Sequence, residues 1–140
     1  ALGSVLEESI AAFYTAFNEH GITPNIQIPE KKIIRMLDRS ALTRVLSNLL
    51  NNSIKYSDGD LDITLSEAGE IIVTNTASEL NEEQVGKLFD RFYTVEAARN
   101  STGLGLAIAR TLVEQMNGII SAKYQNNKLS IHIIFPDVNA

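Results

Sequence analysis

The chain has 140 residues, 44% of them hydrophobic and 21% charged, with a formal net charge of −5 and no cysteine. That length suits one domain with a single core. The acidic balance speaks against a nucleic-acid-binding surface, and the missing thiols exclude disulfides and thiolate metal sites. No apolar run approaches the roughly 18 residues of a membrane-spanning helix, no secretory signal opens the chain, and a reducing cytosol is the simplest setting.

Residues 5–19 carry Val5, Leu6, Ile10, Phe13, Tyr14 and Phe17 near helical spacing and predict a helix. Residues 1–4 are given no structural weight, as an expression remnant. Gly21 stops the helix and Pro24 follows. "NIQIPE" alternates as a short strand, and "KKIIRML" is a second β-like run. Ser40 is placed to cap a helix over 41–56. After the turn "SDGD", "LDITLSE" and "EIIVTNT" form a hairpin about Ala68 and Gly69. "NEEQVGKLFDRFY" reads as a short helix, while "TVEAARNST" has no period of its own. A strong helix follows over about 104–116, stopped by Asn117 and Gly118. "IISAKYQ", the turn "NNK" and "LSIHIIFP" make a last hairpin. Elements grouped this way predict a mixed sheet with helices on one face, an α/β sandwich.

The helix over 41–56 poses the functional question. At about 100° per residue, Leu42, Val45, Leu46, Leu49 and Leu50 share one side. Asn48, Asn52, Lys55 and Tyr56 flank that stripe instead of opposing it, as a pocket wall would. Asparagine is a mediocre helix former. Amide oxygens are hard neutral ligands that help hold Mg2+ beside phosphate oxygens, and Lys55 can meet a phosphate as a point charge. Taken alone, this stretch is accounted for more simply by a solvated helix face that happens to contain asparagine.

"STGLGLAIAR" adds weight to the first reading. Gly103 and Gly105 sit where a flexible segment becomes an apolar helix. Glycines there let backbone N–H groups approach a ligand, and a helix start favours phosphate. Arg99, just upstream, offers a cation for terminal phosphates, and the aperiodic stretch before the anion site has the profile of a closing lid.

Together, "NLLNNSIKYS", "LFDRFY" and "TGLGLAIAR" resemble the N-box, phenylalanine box and second glycine box of the ATP-binding catalytic domain of sensor histidine kinases, within the gyrase/Hsp90/histidine-kinase/MutL group. The match runs roughly from Val5 to Pro136. It implies a Bergerat-type fold: a two-layer α/β sandwich, a mixed five-stranded sheet packed on about three helices, with ATP between the helix layer and a mobile lid. It makes Asn52 the main protein ligand to Mg2+, with Asn48 assisting, and sets Lys55 and Tyr56 against the nucleotide. Asn48, Asn52 and Lys55 are the residues it assigns to catalysis. It also brings Leu80, Phe92 and, beside the two glycines of the second box, Thr102, Leu104 and Leu106 to the nucleotide.

The first glycine box departs from that pattern. Counting back from Phe89 puts Asn75 where the family has an adenine-binding aspartate, with Ala77 and Glu79 at the glycine positions. Ser101 also replaces an expected glycine, and the lid is shorter than usual. An asparagine oxygen can still accept from the adenine amine, though without charge assistance. At Asn48 the ATPase and serine-kinase branches of the group carry a basic glutamate. An amide takes no proton at neutral pH, whereas a neutral imidazole is already a nucleophile, so the sequence leans to a protein-histidine kinase. Neither His20 nor His132 has the surroundings of an acceptor. The expected partners are an acceptor-histidine dimerisation domain of the same kinase and a response regulator, with no nucleic acid. The expected fragment is a monomeric cytoplasmic domain of a homodimeric membrane protein. The alternatives are a nucleotide-blind docking module and an anti-sigma-like serine kinase.

Overall fold

The computed structural model describes residues 1–90 and 105–137. Five strands form one sheet in the order β1-β2-β3-β5-β4. They are β1 (Thr23–Gln27), β2 (Asp60–Leu65), β3 (Glu70–Thr76), β4 (Ile119–Gln125) and β5 (Lys128–Ile134). β1 runs parallel to β2 and every other pairing is antiparallel. A parallel pair needs a crossover, and helix α3 (Arg39–Tyr56) lies in the connection between β1 and β2.

Period-two alternation gives the sheet one dry face. Leu61, Ile63 and Leu65 on β2, Ile71 and Val73 on β3, and Leu129, Ile131 and Ile133 on β5 are all buried. Against them pack Val45, Leu46, Leu49 and Leu50 of α3 and Ala109 and Val113 of helix α5 (Gly105–Gln115), in one core. Helix α1 (Leu2–Ala12) closes the layer with Leu2, Leu6 and Ile10. Two short helices, α2 (Tyr14–Glu19) and α4 (Glu82–Val85), complete it. The mixed five-stranded sheet under a helical layer is the architecture expected.

Local chemistry sets the element ends. α2 stops with Gly21 at φ +68°, and the N–H of Ile22 reaches back to the Phe17 carbonyl at 2.8 Å. At the end of α5 it is Asn117 that takes the left-handed conformation (φ +62°), with Gly118 N–H on Val113 O at 2.9 Å. The β4–β5 turn has Asn126 and Asn127 at φ +54° and +63°, as a two-residue hairpin loop demands.

Five expectations are corrected. Residues 1–4 are structural: α1 begins at Leu2, which is buried, and a Cβ on Gly3 would sit 3.1 Å from Ile28 Cγ2. The helix over 5–19 divides at Phe13 (φ −97°), and the offset buries Phe17 while Tyr14 faces solvent. "KKIIRML" is no strand, because β1 and β3 already flank β2. That segment instead carries the chain from β1 to α3, anchored by buried Ile33, whose carbonyl accepts from Leu2 N–H at 2.8 Å. The cap of α3 is Asp38, not Ser40; its carboxylate accepts from the N–H groups of Ser40 and Ala41, and the helix starts two residues earlier than expected. Finally, the expected helix over 81–93 is a single capped turn, α4, followed by turns to Asp90, and 91–93 lie outside the described residues.

Candidate functional site

The site is built on α3. Its apolar stripe faces the core, which leaves Asn48 and Asn52 at the border of the buried layer. Asn52 is 7% exposed, and among the described residues its Oδ1 has no hydrogen-bond partner. Its neighbour Ser53, equally buried, donates back to the Leu49 carbonyl at 3.2 Å. Burying an unpaired carbonyl costs about 1–3 kcal/mol, so an orphan beside a satisfied hydroxyl points to a ligand. The donor set fits Mg2+: a neutral amide oxygen is a hard ligand that leaves room for waters and phosphate oxygens. Among the described residues no three His, Cys, Asp or Glu side chains gather as a metal cluster. A divalent ion at Asn52 would therefore depend on anionic charge brought by the nucleotide itself.

Asn48 has a partner. Its Nδ2 donates to the Gly105 carbonyl at 2.9 Å, tying the middle of α3 to the first residue of α5. A Cβ at Gly105 would meet only Asn48 Cγ, at 4.0 Å, an ordinary contact. Apart from its own helix, no other described residue comes within 4 Å of that position. Leu106, next along, is buried. Lys55 is exposed at the last turn of α3, with Nζ 5.1 Å from the centroid of the half-buried Tyr56 ring. Partial desolvation pushes its amine below the ordinary lysine value.

Asn75 ends the dry face of β3 and is 2% exposed; its Nδ2 donates to the Thr76 carbonyl at 3.2 Å. The loop that follows is pinned from β4 and the hairpin turn. The Tyr124 hydroxyl lies 2.8 Å from both the Ala77 and Leu80 carbonyls, and Ala77 N–H donates to Asn127 O at 2.7 Å. Leu80 is buried beneath this loop. Tyr124, Asn127 and Asp60 were not singled out from the sequence. Tyr124 falls there within the strand run "IISAKYQ", Asn127 in the turn "NNK" and Asp60 in the turn "SDGD". Phe92, Arg99, Thr102, Gly103 and Leu104, with the expected lid, lie outside the described residues.

The chain matches the family described as "Histidine kinase-, DNA gyrase B-, and HSP90-like ATPase" over residues 37–139, most of its length. The chain belongs to this family. ATP is the ligand that membership implies. Curated relatives of this ATPase domain include the sensor histidine kinase YcbM of Bacillus subtilis, 32% identical over 87% of this chain and 42% of that protein. Another is the signal transduction histidine-protein kinase BaeS of Escherichia coli, 34% identical over 94% of this chain and 30% of that protein. The chain therefore spans less than half the length of these relatives. Among solved structures, a catalytic domain of histidine kinase ThkA superimposes with a TM-score of 0.82 at 23% identity, covering 96% of this chain and 91% of that one. The mycobacterial sensor histidine kinase MprB gives 0.79 at 24%, covering 96% and 95%. These likenesses establish the fold as that of histidine kinase catalytic domains. Among the described residues of this ATPase domain, no helix is long and apolar enough to cross a membrane.

Proposed function

We propose that the chain is the ATP–Mg2+ domain of a two-component sensor histidine kinase, passing the γ-phosphoryl group of ATP to a histidine on an adjoining dimerisation domain. The observation that carries this is the buried Oδ1 of Asn52, unpartnered among the described residues and one helical turn from Asn48. Mg2+ would neutralise phosphate charge there, and phosphoryl transfer asks a protein for little beyond charge neutralisation and positioning. Asn52 holds the ion, Lys55 faces the phosphates as a cation, and Tyr56 lies against the nucleotide. Asn75 receives the adenine amine through Oδ1, and Leu80 and Leu106 supply apolar walls. The family resemblance adds Phe92, Arg99, Thr102, Gly103 and Leu104 to the nucleotide-binding set.

Asn48 supports a histidine acceptor over water or serine. Its amide cannot take a proton, and its Nδ2 is committed to Gly105. No base stands there to activate a hydroxyl, and imidazole needs none. The two histidines of the chain are engaged elsewhere. His20 Nδ1 is 2.9 Å from the Ala16 carbonyl at the end of α2, and His132 on β5 has Nδ1 3.7 Å from Oε2 of Glu70 on β3. The acceptor therefore belongs to another part of a longer protein, a homodimer carried by the membrane, whose phosphoryl group passes to a response regulator. Calorimetry with ADP and Mg2+ tests the reading. Saturable binding, lost in Asn52→Ala, is expected. Absent binding would make this a nucleotide-blind docking module, and an acid-stable phosphoprotein from the intact kinase would replace histidine by serine.

A further inference from the structure

The two outer strands of the sheet are unlike as edges. β1 is five residues long and carries Pro24, which has no N–H to give to a further strand. β4 is seven residues long, has no proline and, among the described residues, pairs only with β5. Its hairpin fixes which groups face outward. Across the two-residue loop Gln125 stands opposite Lys128, and the pairing continues as Lys123 with Ser130, Ser121 with His132 and Ile119 with Ile134. A loop of this kind makes its flanking residues a hydrogen-bonded pair, and the antiparallel ladder repeats that pair every second residue. The N–H and C=O groups of Ile120, Ala122 and Tyr124 therefore point away from β5, and no described residue bonds them.

The helical layer leaves this edge open. The inward apolar residues of β2, β3 and β5 are at most 3% exposed. Ile120, Ala122 and Tyr124 are only partly buried, as are Leu112 and Met116 on the neighbouring helix α5. On the other face of β4, Ile119 is 62% exposed and Lys123 is exposed, and among the described residues Lys123 forms no ion pair. The hairpin from Ile119 to Phe135 holds Lys123 and Lys128 and no acidic residue, in a chain whose net charge is −5. We infer that the free edge of β4 is a docking site for an extended acidic segment of a partner protein. That segment adds to the sheet beside β4, lays apolar side chains on Ile120 and Ala122, and sets a carboxylate against Lys123. A second copy of the chain fits poorly. Antiparallel pairing centred on Ala122, which uses all the outward groups, would make the two Lys123 side chains diagonal neighbours of like charge.

The test is a titration of the chain, followed by its backbone amide resonances, with a capped peptide of seven residues, the length of β4. Its odd positions are valine and its even positions are threonine, glutamate and threonine. Saturable shifts and slowed exchange are expected at the amides of Ile120, Ala122 and Tyr124, with no slowing at Ser121 and Lys123, whose N–H groups already serve β5. Replacing the glutamate of the peptide by lysine should weaken binding about three- to tenfold, the scale of a cross-strand pair turned from opposite to like charge. Lys123→Glu should invert that preference. Ala122→Pro removes an outward N–H and no ladder bond, so it should abolish binding; if it does not fold, Lys123→Glu carries the test. No saturable shifts along β4 would overturn the docking site. Equal binding of the two peptides, or an unaltered preference in Lys123→Glu, would overturn the acidic partner. Self-association of the wild type that is lost in Ala122→Pro would replace that partner by a second copy.

Discussion

Asn48 and Gly105 are joined across 57 residues of sequence by one hydrogen bond, Nδ2 to carbonyl, at 2.9 Å. The bond couples the helix that carries both asparagines to the start of the helix that follows the glycine segment. Asn48→Ala should cost about 1 kcal/mol, the usual net worth of such a bond. Asn48→Asp should cost more, since a carboxylate would face the Gly105 carbonyl. Urea midpoints give the order, and faster amide exchange at the first turn of α5 should accompany both. Equal stability for all three proteins would show that the strap holds nothing.

Asn52 should separate stability from function. Its Oδ1 is buried with no partner among the described residues, so the ligand-free protein gains little from the amide. Asn52→Leu keeps a similar shape and should leave ligand-free stability within about 1 kcal/mol of wild type, or raise it. The same variant should lose saturable Mg2+–ADP heat. A large loss of ligand-free stability would mean that the amide is a structural part and not a ligand in waiting.

How far the sequence carried varies with the physics of each segment. β2, β3, β4 and β5 were legible because alternation and turn residues agree, down to the paired asparagines of the last hairpin. α3 was legible from its apolar stripe. The segment 31–37 was not: it alternates like a strand, with Ile33 buried and Ile34 exposed, yet both sides of β2 are taken by β1 and β3. Nor could periodicity show that Phe13 interrupts a helix, or that Leu2 belongs to the core. In the site, Asn48, Asn52 and Gly105 stand out locally. Tyr124 and Asp60 act through contacts 44 and 16 residues away, and no local pattern announces such partners.

Tyr124→Phe tests the pinned loop. It removes one hydroxyl whose proton is shared between the Ala77 and Leu80 carbonyls. A loss of about 1 kcal/mol is expected, with faster exchange at Leu80 N–H, which bonds the Ala77 carbonyl at 3.1 Å. Unchanged exchange there would place the anchor elsewhere, for instance in the Ala77–Asn127 bond.

Gly118 is required by space, not by backbone conformation. A Cβ there would lie 2.7 Å from Phe135 Cδ1 and Cε1 and 3.0 Å from the Ile134 carbonyl. Phe135 is a fully buried core ring, so it has little room to yield. Gly118→Ala should destabilise by about 1–3 kcal/mol, the range for overpacked cores. Asn117→Gly, at the neighbouring left-handed position, should be neutral or stabilising. Thermal melts of the two variants settle the contrast; equal losses would refute it.

Asp60, whose carboxylate accepts from the N–H and the hydroxyl of Thr76, both at 2.7 Å, gives the end of β3 a pH signature. Burial alone would raise its carboxyl, but the Thr76 hydroxyl and amide, its own backbone amide and the charge of Lys128 outweigh that and hold it below the ordinary aspartate value. In the window between the folded and unfolded values, the unfolded chain therefore binds more protons, and stability rises with pH. The contribution is full above the unfolded value and fades as pH falls through the folded one. Urea midpoints of wild type and Asp60→Asn, measured from neutral pH into the acid range, should differ most at neutrality and converge on acidification. Asparagine has no proton to gain, so its own curve lacks this contribution. A gap that stays constant down to the acid limit would mean that Asp60 holds Thr76 no better charged than neutral.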